Sequence, residues 1–293
     1  MTDYPDPPPL ESAPPPILPA PRTISGLGAA MALTGIYVGV LVGLQVVVTV
    51  ILMVAKRPPM SAWSMVGQMV VAFAFTAALV PVLAKLKWSE LVTMLRVSPP
   101  LILGAGFLVA GAWVVALELG GLTELLIPIP EFMAQEFERL FNNPDVVSSL
   151  VLLVLVPPIV EETLCRGLIL RAMLKKWRPR TAIILSALIF GAIHLNPWQF
   201  FYATWLGLVL GWVYWRTQSL GLCMLMHAGN NLLSWILLRS KFEWIGMDRE
   251  SLTAPPNHVP PLVMAVGLGL LGLGVALLAR MTPRPVPVAA PQV

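Results

Sequence analysis

Thirty-five consecutive residues, 181–215, contain no Asp, Glu, Lys or Arg. A membrane-spanning helix needs only about 20 apolar residues, so this run is too long for a single span. Asn196-Pro197 divides it, because a proline disfavours helix in the residue before it. The sequence therefore predicts two helices here, near 180–195 and 198–215, and confines the chain to a membrane-embedded helical fold.

The rest of the chain repeats this pattern. Only 12% of its 293 residues are charged, against about 25% in soluble domains, and the mean hydropathy is +0.80. These values exclude a soluble enzyme, and the 57% hydrophobic content excludes a disordered chain. The predicted fold class is all-α, a polytopic integral membrane bundle of about eight transmembrane helices. The other six predicted spans lie near 24–55, 58–84, 97–117, 145–172, 217–238 and 260–279.

Three segments are predicted along the chain. Residues 1–23 hold nine prolines, which favour a disordered tail without a core. Residues 24–280 form the transmembrane helical domain, and 281–293 form a short C-terminal tail. Between spans three and four, the loop 120–145 is predicted to carry a short amphipathic helix at the membrane interface, or else a packed connection. Its apolar face would comprise Phe132, Met133, Phe137, Leu140 and Phe141.

The positive charges orient the bundle. Loops rich in Lys and Arg stay in the cytoplasm, and the connection between spans four and five carries Arg171, Lys175, Lys176, Arg178 and Arg180 without an acidic residue. Both termini are then cytoplasmic in a plasma (inner) membrane protein, and the acidic loop 120–145 lies outside. Lys56 and Arg57 oppose this orientation. The net charge of +4 does not suggest a nucleic-acid partner.

Several polar residues lie inside the apolar runs, where a charge costs about 2.5–3.5 kcal/mol on insertion scales. Glu162 and Arg166, four residues apart, share one helical face and can form an ion pair. Glu161 points about 100° away and has no local partner, which makes it a candidate general base. Pro157-Pro158, one turn earlier, frees backbone carbonyls and can loosen the packing.

The next two polar sites lie on later helices. Phe190 and His194 share a face just before the Asn196-Pro197 break. His227 and Asn231 share a face on span seven and could donate hydrogen bonds to the oxyanion of a carbonyl under attack. Counted from the predicted cytoplasmic ends, Glu161, His194 and His227 all fall roughly 12–21 Å deep at 1.5 Å per residue, so they could meet near mid-membrane.

These motifs resemble a known family. Glu-Glu-x-x-x-Arg at 161–166, Phe-x-x-x-His at 190–194 and His-x-x-x-Asn at 227–231 are similar to the motifs of the CPBP (Abi) family, which includes type II CAAX prenyl endopeptidases and bacteriocin-processing enzymes. The resemblance covers about 145–240 and implies that this part is the catalytic core. It implies an eight-helix intramembrane glutamic endopeptidase without a metal cofactor. In it, Glu161 and His194 would activate water, His227 and Asn231 would stabilise the oxyanion, and Glu162 and Arg166 would brace helix four.

The substrate expected from this resemblance is a membrane-associated protein or peptide. Prenylated CAAX proteins are the eukaryotic substrates of the family. A bacterial member would act on peptide precursors or on the C-terminal sorting tails of surface proteins, as in the myxosortase-like branch, and the sorting tails are our preferred interpretation.

Three other functions are compatible with the residues. Glu161, His194 and His227 could together bind a catalytic zinc ion, although a His-Glu-x-x-His motif is absent. Cys165, beside Arg166, could serve as the nucleophile of a cysteine protease. Finally, the polar residues could be interhelical hydrogen bonds or a proton path in a non-catalytic scaffold or transporter.

Overall fold

A computed structural model describes residues 26–57, 60–85, 87, 98–240, 252 and 254–282. These residues form helices and their connections, which confirms the all-α class. The helices are α1 (Gly26–Val54), α2 (Ala62–Ala84), α3 (Pro99–Leu126), α4 (Glu131–Phe141), α5 (Val146–Met173), α6 (Pro179–Ala192), α7 (Pro197–Thr217), α8 (Leu220–Arg239) and α9 (Pro261–Met281). The predicted tails, 1–23 and most of 281–293, lie outside the described residues.

The break at Asn196-Pro197 is confirmed. Helix α6 ends at Ala192, Leu195 adopts a left-handed backbone with φ of 56°, and α7 begins at Pro197. The Asn196 side chain accepts a hydrogen bond from the Gln199 backbone N–H at 2.8 Å, which caps the new helix. The chain therefore reverses direction here and packs α7 antiparallel to α6.

Six of the helices, α1, α2, α3, α5, α8 and α9, are individually long and apolar enough to cross a membrane. The expected number of about eight is reached only if α6 and α7 are added. Helix α6 has 14 residues, or about 21 Å at 1.5 Å per residue, which is shorter than the hydrocarbon core of about 30 Å. Helix α7 has sufficient length, but its polar and Trp/Tyr side chains lower its hydropathy.

The helix ends form two faces. The basic face contains the α5–α6 connection, and Arg216 ties α7 to the end of α9 there through Thr282. At the opposite face, the Trp63 indole N–H donates to the carboxylate of Asp145 at 2.8 Å, and Arg239 donates to the Phe141 carbonyl at 2.9 Å. The hydrogen bond from the Ser148 backbone N–H lowers the pKa of Asp145, so this cap of α5 stays anionic.

Helix α4 confirms the amphipathic helix predicted within 120–145. Leu140 is buried, and Phe137, Leu140 and Phe141 line an internal cavity. The proposed apolar face is wrong at one residue, because Phe132 is 72% exposed. Five residues at 100° each place Phe132 about 140° from Phe137 around the helix, so the two side chains diverge.

Glycines allow two pairs of helices to approach closely. A Cβ atom on Gly274 of α9 would lie 2.4 Å from the Leu108 backbone nitrogen of α3, and one on Gly111 would lie 2.4 Å from the Gly267 carbonyl oxygen. At the α6–α7 contact, a Cβ on Gly207 would lie 2.9 Å from the Cα of Ala187. Backbone therefore packs on backbone at both contacts, as is typical of membrane helices with small residues at their interfaces.

We expect Gly274→Ala to destabilise the bundle, because the added methyl group meets backbone that cannot rotate away. Overpacking of this kind costs about 1–3 kcal/mol. Gly272→Ala is the matched control, since a Cβ there has open space. The measurement is the temperature at which detergent-solubilised protein loses its monodisperse peak. Equal temperatures for the two variants would contradict the close α3–α9 contact.

Candidate active site

Helix α5 carries the acidic residues, and its prolines shape it locally. Pro157 has no N–H group, so the Leu153 carbonyl four residues earlier loses its usual helical partner. The backbone around it adopts π-helical turns at Val151–Leu155. The freed Leu153 oxygen instead accepts a hydrogen bond from the Asn231 side-chain amide at 3.0 Å. The proline that loosens α5 thus positions a residue of α8.

A buried charge cluster lies one turn beyond Glu161. Arg166 and Glu162 form the predicted ion pair, with 2.8 Å between a guanidinium nitrogen and the carboxylate oxygen Oε1. The same oxygen accepts a hydrogen bond from Nδ1 of His227 at 2.8 Å, and Arg166 also donates to the Gly207 carbonyl at 3.2 Å. The side chains of Glu162 and Arg166 are 0% and 1% exposed. Helices α5, α7 and α8 are therefore joined by one polar network.

Phe190 of α6 completes this cluster. The Arg166 guanidinium lies 4.4 Å from the centre of the Phe190 ring, a cation–π distance. The ring also packs edge-on against His194 and His227, with centroid distances of 5.3 and 5.6 Å. Phe190 therefore fixes the relative positions of both imidazoles and the arginine.

The end of α6 orients His194. Its backbone N–H bonds to Gly191 rather than Phe190, which leaves the Phe190 carbonyl free to accept from the His194 ring nitrogen Nδ1 at 2.8 Å. A carbonyl oxygen only accepts, so Nδ1 carries the proton. The Asn196 amide also donates to the His194 carbonyl at 3.0 Å. Nε2 of His194 is thereby free to face the interior.

Glu161 is the point at which these elements converge. Its carboxylate oxygen Oε2 lies 4.0 Å from Nε2 of His194 and 3.9 Å from Nε2 of His227. Both distances are too long for direct hydrogen bonds, and this buried oxygen has no hydrogen-bond partner within the described protein. Separations of this size are ones that a bridging water molecule can span.

The site lies at the bottom of a cavity of about 440 Å³. Most of its wall is apolar or aromatic, while its polar members beyond Glu161 and the two histidines include Glu124, Gln199, Asn230 and Asn231. Asn230 donates to the Asn231 side-chain oxygen at 3.2 Å. A peptide strand could enter this space and reach the Glu161 carboxylate.

The structure brings all the candidate residues together. Glu161, His194, His227 and Asn231 line the cavity, and Glu162, Arg166 and Phe190 stand in contact with them. The Glu162–His227 bond was missed by the sequence analysis, because no local spacing relates residues that are 65 positions apart. Cys165 is 0% exposed and does not line the cavity, so it cannot reach a substrate there.

Among the described residues, no three His, Cys, Asp or Glu side chains are arranged to hold a metal ion. The 3.9–4.0 Å separations around Glu161 exceed the roughly 3.4 Å between ligand atoms that bonds of about 2.1 Å to a tetrahedral zinc ion would give. The zinc alternative remains a prediction without support from this geometry.

Residues 143–233 match the family model of the Rce1-like type II CAAX prenyl endopeptidases. The matched segment is about a third of the chain and is similar to a CAAX protease domain. The matched segment contains all seven site residues, and it confirms the resemblance reached from the three motifs, while the myxosortase-like branch stays a prediction. The comparisons with curated proteins and with solved structures find no match. Together with the apolar helices, this match supports a membrane protease.

We expect Arg166→Met to destabilise the protein by about 3–5 kcal/mol, because it leaves the Glu162 carboxylate buried without its ion pair. The double variant Glu162→Gln/Arg166→Met removes both charges and should be more stable than Arg166→Met alone. The stability of each variant is measured as the temperature at which the folded protein is lost in detergent. A double variant that loses as much stability as the two single variants added together would show that the two charges do not interact.

Proposed function

We propose that this protein is an intramembrane endopeptidase in which Glu161 and His194 activate a water molecule and His227 and Asn231 stabilise the oxyanion. The observation that carries the proposal is the convergence of one carboxylate and two imidazole nitrogens within 4.0 Å at the base of a peptide-sized cavity. The substrate would be a membrane-associated protein or peptide, as the name of the matched family suggests for its members.

The water molecule is activated by the polar atoms around it. Water held between Glu161 and His194 can donate one hydrogen bond to the carboxylate and one to the free Nε2 atom, since Nδ1 of His194 is already bonded to the Phe190 carbonyl. Both bonds increase electron density on the water oxygen, which keeps its two lone pairs and can attack a carbonyl carbon with one of them. Glu161 receives the proton as the new carbon–oxygen bond forms.

The oxyanion requires hydrogen-bond donors. Asn231 uses one amide hydrogen for the Leu153 carbonyl and keeps a second for the substrate. His227 already donates from Nδ1 to Glu162, so its Nε2 can donate only when the ring carries two protons. The Glu162 carboxylate accepts the Nδ1 hydrogen bond and is itself paired with Arg166. The buried cluster would thus orient His227 and determine what it can donate.

The second half of the reaction returns the proton. When the tetrahedral intermediate collapses, the peptide C–N bond breaks and the proton held by Glu161 passes to the leaving nitrogen as an amine. One water is consumed, one carboxylic acid and one amine are produced, and Glu161 is again ionised. This cycle requires Glu161 to contact both water and substrate, which its 17% side-chain exposure permits.

We expect Glu161→Gln to abolish processing, because an amide cannot accept the proton of the attacking water. The loss should be about 10²–10⁴-fold, the usual contribution of a general base. Membrane proteomes of cells with the wild-type protein or the variant, at matched expression, are compared by mass spectrometry of protein termini. Precursors that retain a terminal segment only with the variant identify the substrate and the cleaved bond.

The control for this experiment is Glu131→Gln, which makes the same chemical change at an exposed position of α4. It should leave every terminus unchanged. If the folded and inserted Glu161→Gln variant also changes no terminus, the protease proposal is wrong and a scaffold or transporter becomes the better interpretation.

Cleavage should also be independent of zinc. The purified protein, assayed on a precursor found in that experiment, is expected to keep its rate in the presence of a strong zinc chelator, because the proposed reaction involves only protein side chains and water. Inhibition by the chelator, reversed by added zinc, would instead assign Glu161, His194 and His227 to a metal site.

A further inference from the structure

The two faces of the bundle differ sharply in charge. Among the described residues, the basic face carries cations and no carboxylate: Lys85, Lys87, Arg171, Lys175, Lys176, Arg178, Arg180, Arg216 and Arg280. At the opposite face lie the acidic residues Glu118, Glu124, Glu131, Glu136, Glu138 and Asp145, with Lys56, Arg57, Arg139 and Arg239 as cations. The excess of Lys and Arg places the basic face in the cytoplasm.

The catalytic cavity leads to the opposite face. Its outer wall is formed by Gly120 and Glu124 near the end of α3, by Phe137 and Phe141 of α4, and by the exposed Asn257 before α9. All these elements lie at the end of the bundle where α5 begins. A substrate that follows the cavity therefore arrives at Glu161 from this face.

The other direction is closed by packing. Below the site, towards the basic face, the Glu162–Arg166 pair is almost fully buried. Beyond it, fully buried side chains of α5 and α7 fill the space between the helices: Leu168, Ile169, Leu170, Leu210, Val213 and Tyr214. Within the described part of the chain, no lining residue of the cavity belongs to the basic face.

We infer that the enzyme takes its substrate from the non-cytoplasmic side of the membrane, as an extended, largely apolar segment of a membrane-anchored protein. This inference rests on the proposed function for the cleavage itself, but the direction of access rests on charge and packing alone. An exported segment next to a membrane anchor is the polypeptide that would meet this opening.

The depth of the site sets a length for that segment. Glu161 lies 15 residues after Val146, the first residue of α5, which is about 22 Å of helix. An extended chain covers about 3.3 Å per residue, so about seven residues must enter before the scissile bond reaches Glu161. The lining contains aromatic side chains and carboxylates, and none of its described members is Lys or Arg. Acidic side chains would therefore be disfavoured in this segment.

Thiol labelling tests the direction of access without any assay of cleavage. The native Cys165 and Cys223 are fully buried, so single introduced cysteines report cleanly. In right-side-out plasma-membrane vesicles, a membrane-impermeant maleimide should label Gln135→Cys on α4 and Gly120→Cys in the cavity, where a Cβ has open space. Lys176→Cys on the basic face should react only after permeabilisation. The reverse pattern would overturn the inference.

A second arm tests the substrate. Precursors that accumulate with Glu161→Gln should retain segments located outside the cytoplasm, and labelling of Gly120→Cys from outside should block their cleavage, whereas labelling of Lys176→Cys should not. Precursors with cytoplasmic cleavage sites would overturn the inference while leaving the protease proposal intact. If the labelling pattern is as expected but no precursor accumulates with Glu161→Gln, the protease proposal is rejected, while the inferred direction of the opening still stands.

Discussion

The ion pair between Glu162 and Arg166 is the interaction on which the rest of the site depends. Removing two charges from water is expensive, and the expense is offset only when each charge finds several partners. Here Glu162 bonds to Arg166 and His227, while Arg166 reaches the Gly207 carbonyl and the Phe190 ring. Four helices thereby adopt one relative arrangement, and Glu161, next in sequence to Glu162, is held at the position where both histidines face it.

A second constraint is the interruption of regular helix. Proline removes a backbone donor at Pro157, and the early end of α6 frees the Phe190 carbonyl. In lipid an unpaired carbonyl is costly, so a side chain donates a hydrogen bond to each of these two carbonyls. Asn231 donates to the Leu153 carbonyl, and His194 donates to the Phe190 carbonyl. The polar residues of the site are therefore oriented by the same backbone groups that the irregular helices leave unpaired.

The sequence predicted the helical fold well, and it selected polar residues that the structure brings to one cavity, because apolar runs and i,i+4 spacing are local properties. It identified the Glu162–Arg166 pair and the break at Asn196-Pro197 for this reason. The Glu162–His227 bond, the Phe190–Arg166 contact and the exposed position of Phe132 depend on how separate helices pack or on the exact rotation of one helix. Six helices are long and apolar enough to span by themselves, and α6 and α7 bring the number to the predicted eight.

The short helix α6 has a consequence for the lipid around it. Its outer surface includes exposed Ile184 and Leu188, yet its 14 residues cover only about 21 Å of a hydrocarbon layer about 30 Å thick. A bilayer would match so short a helix by shortening or tilting of the acyl chains beside it, which would thin the membrane next to the site. A substrate helix that drifts into this thinned region has its last turns exposed to water, which lowers the cost of unwinding them into the extended form that a protease can cut.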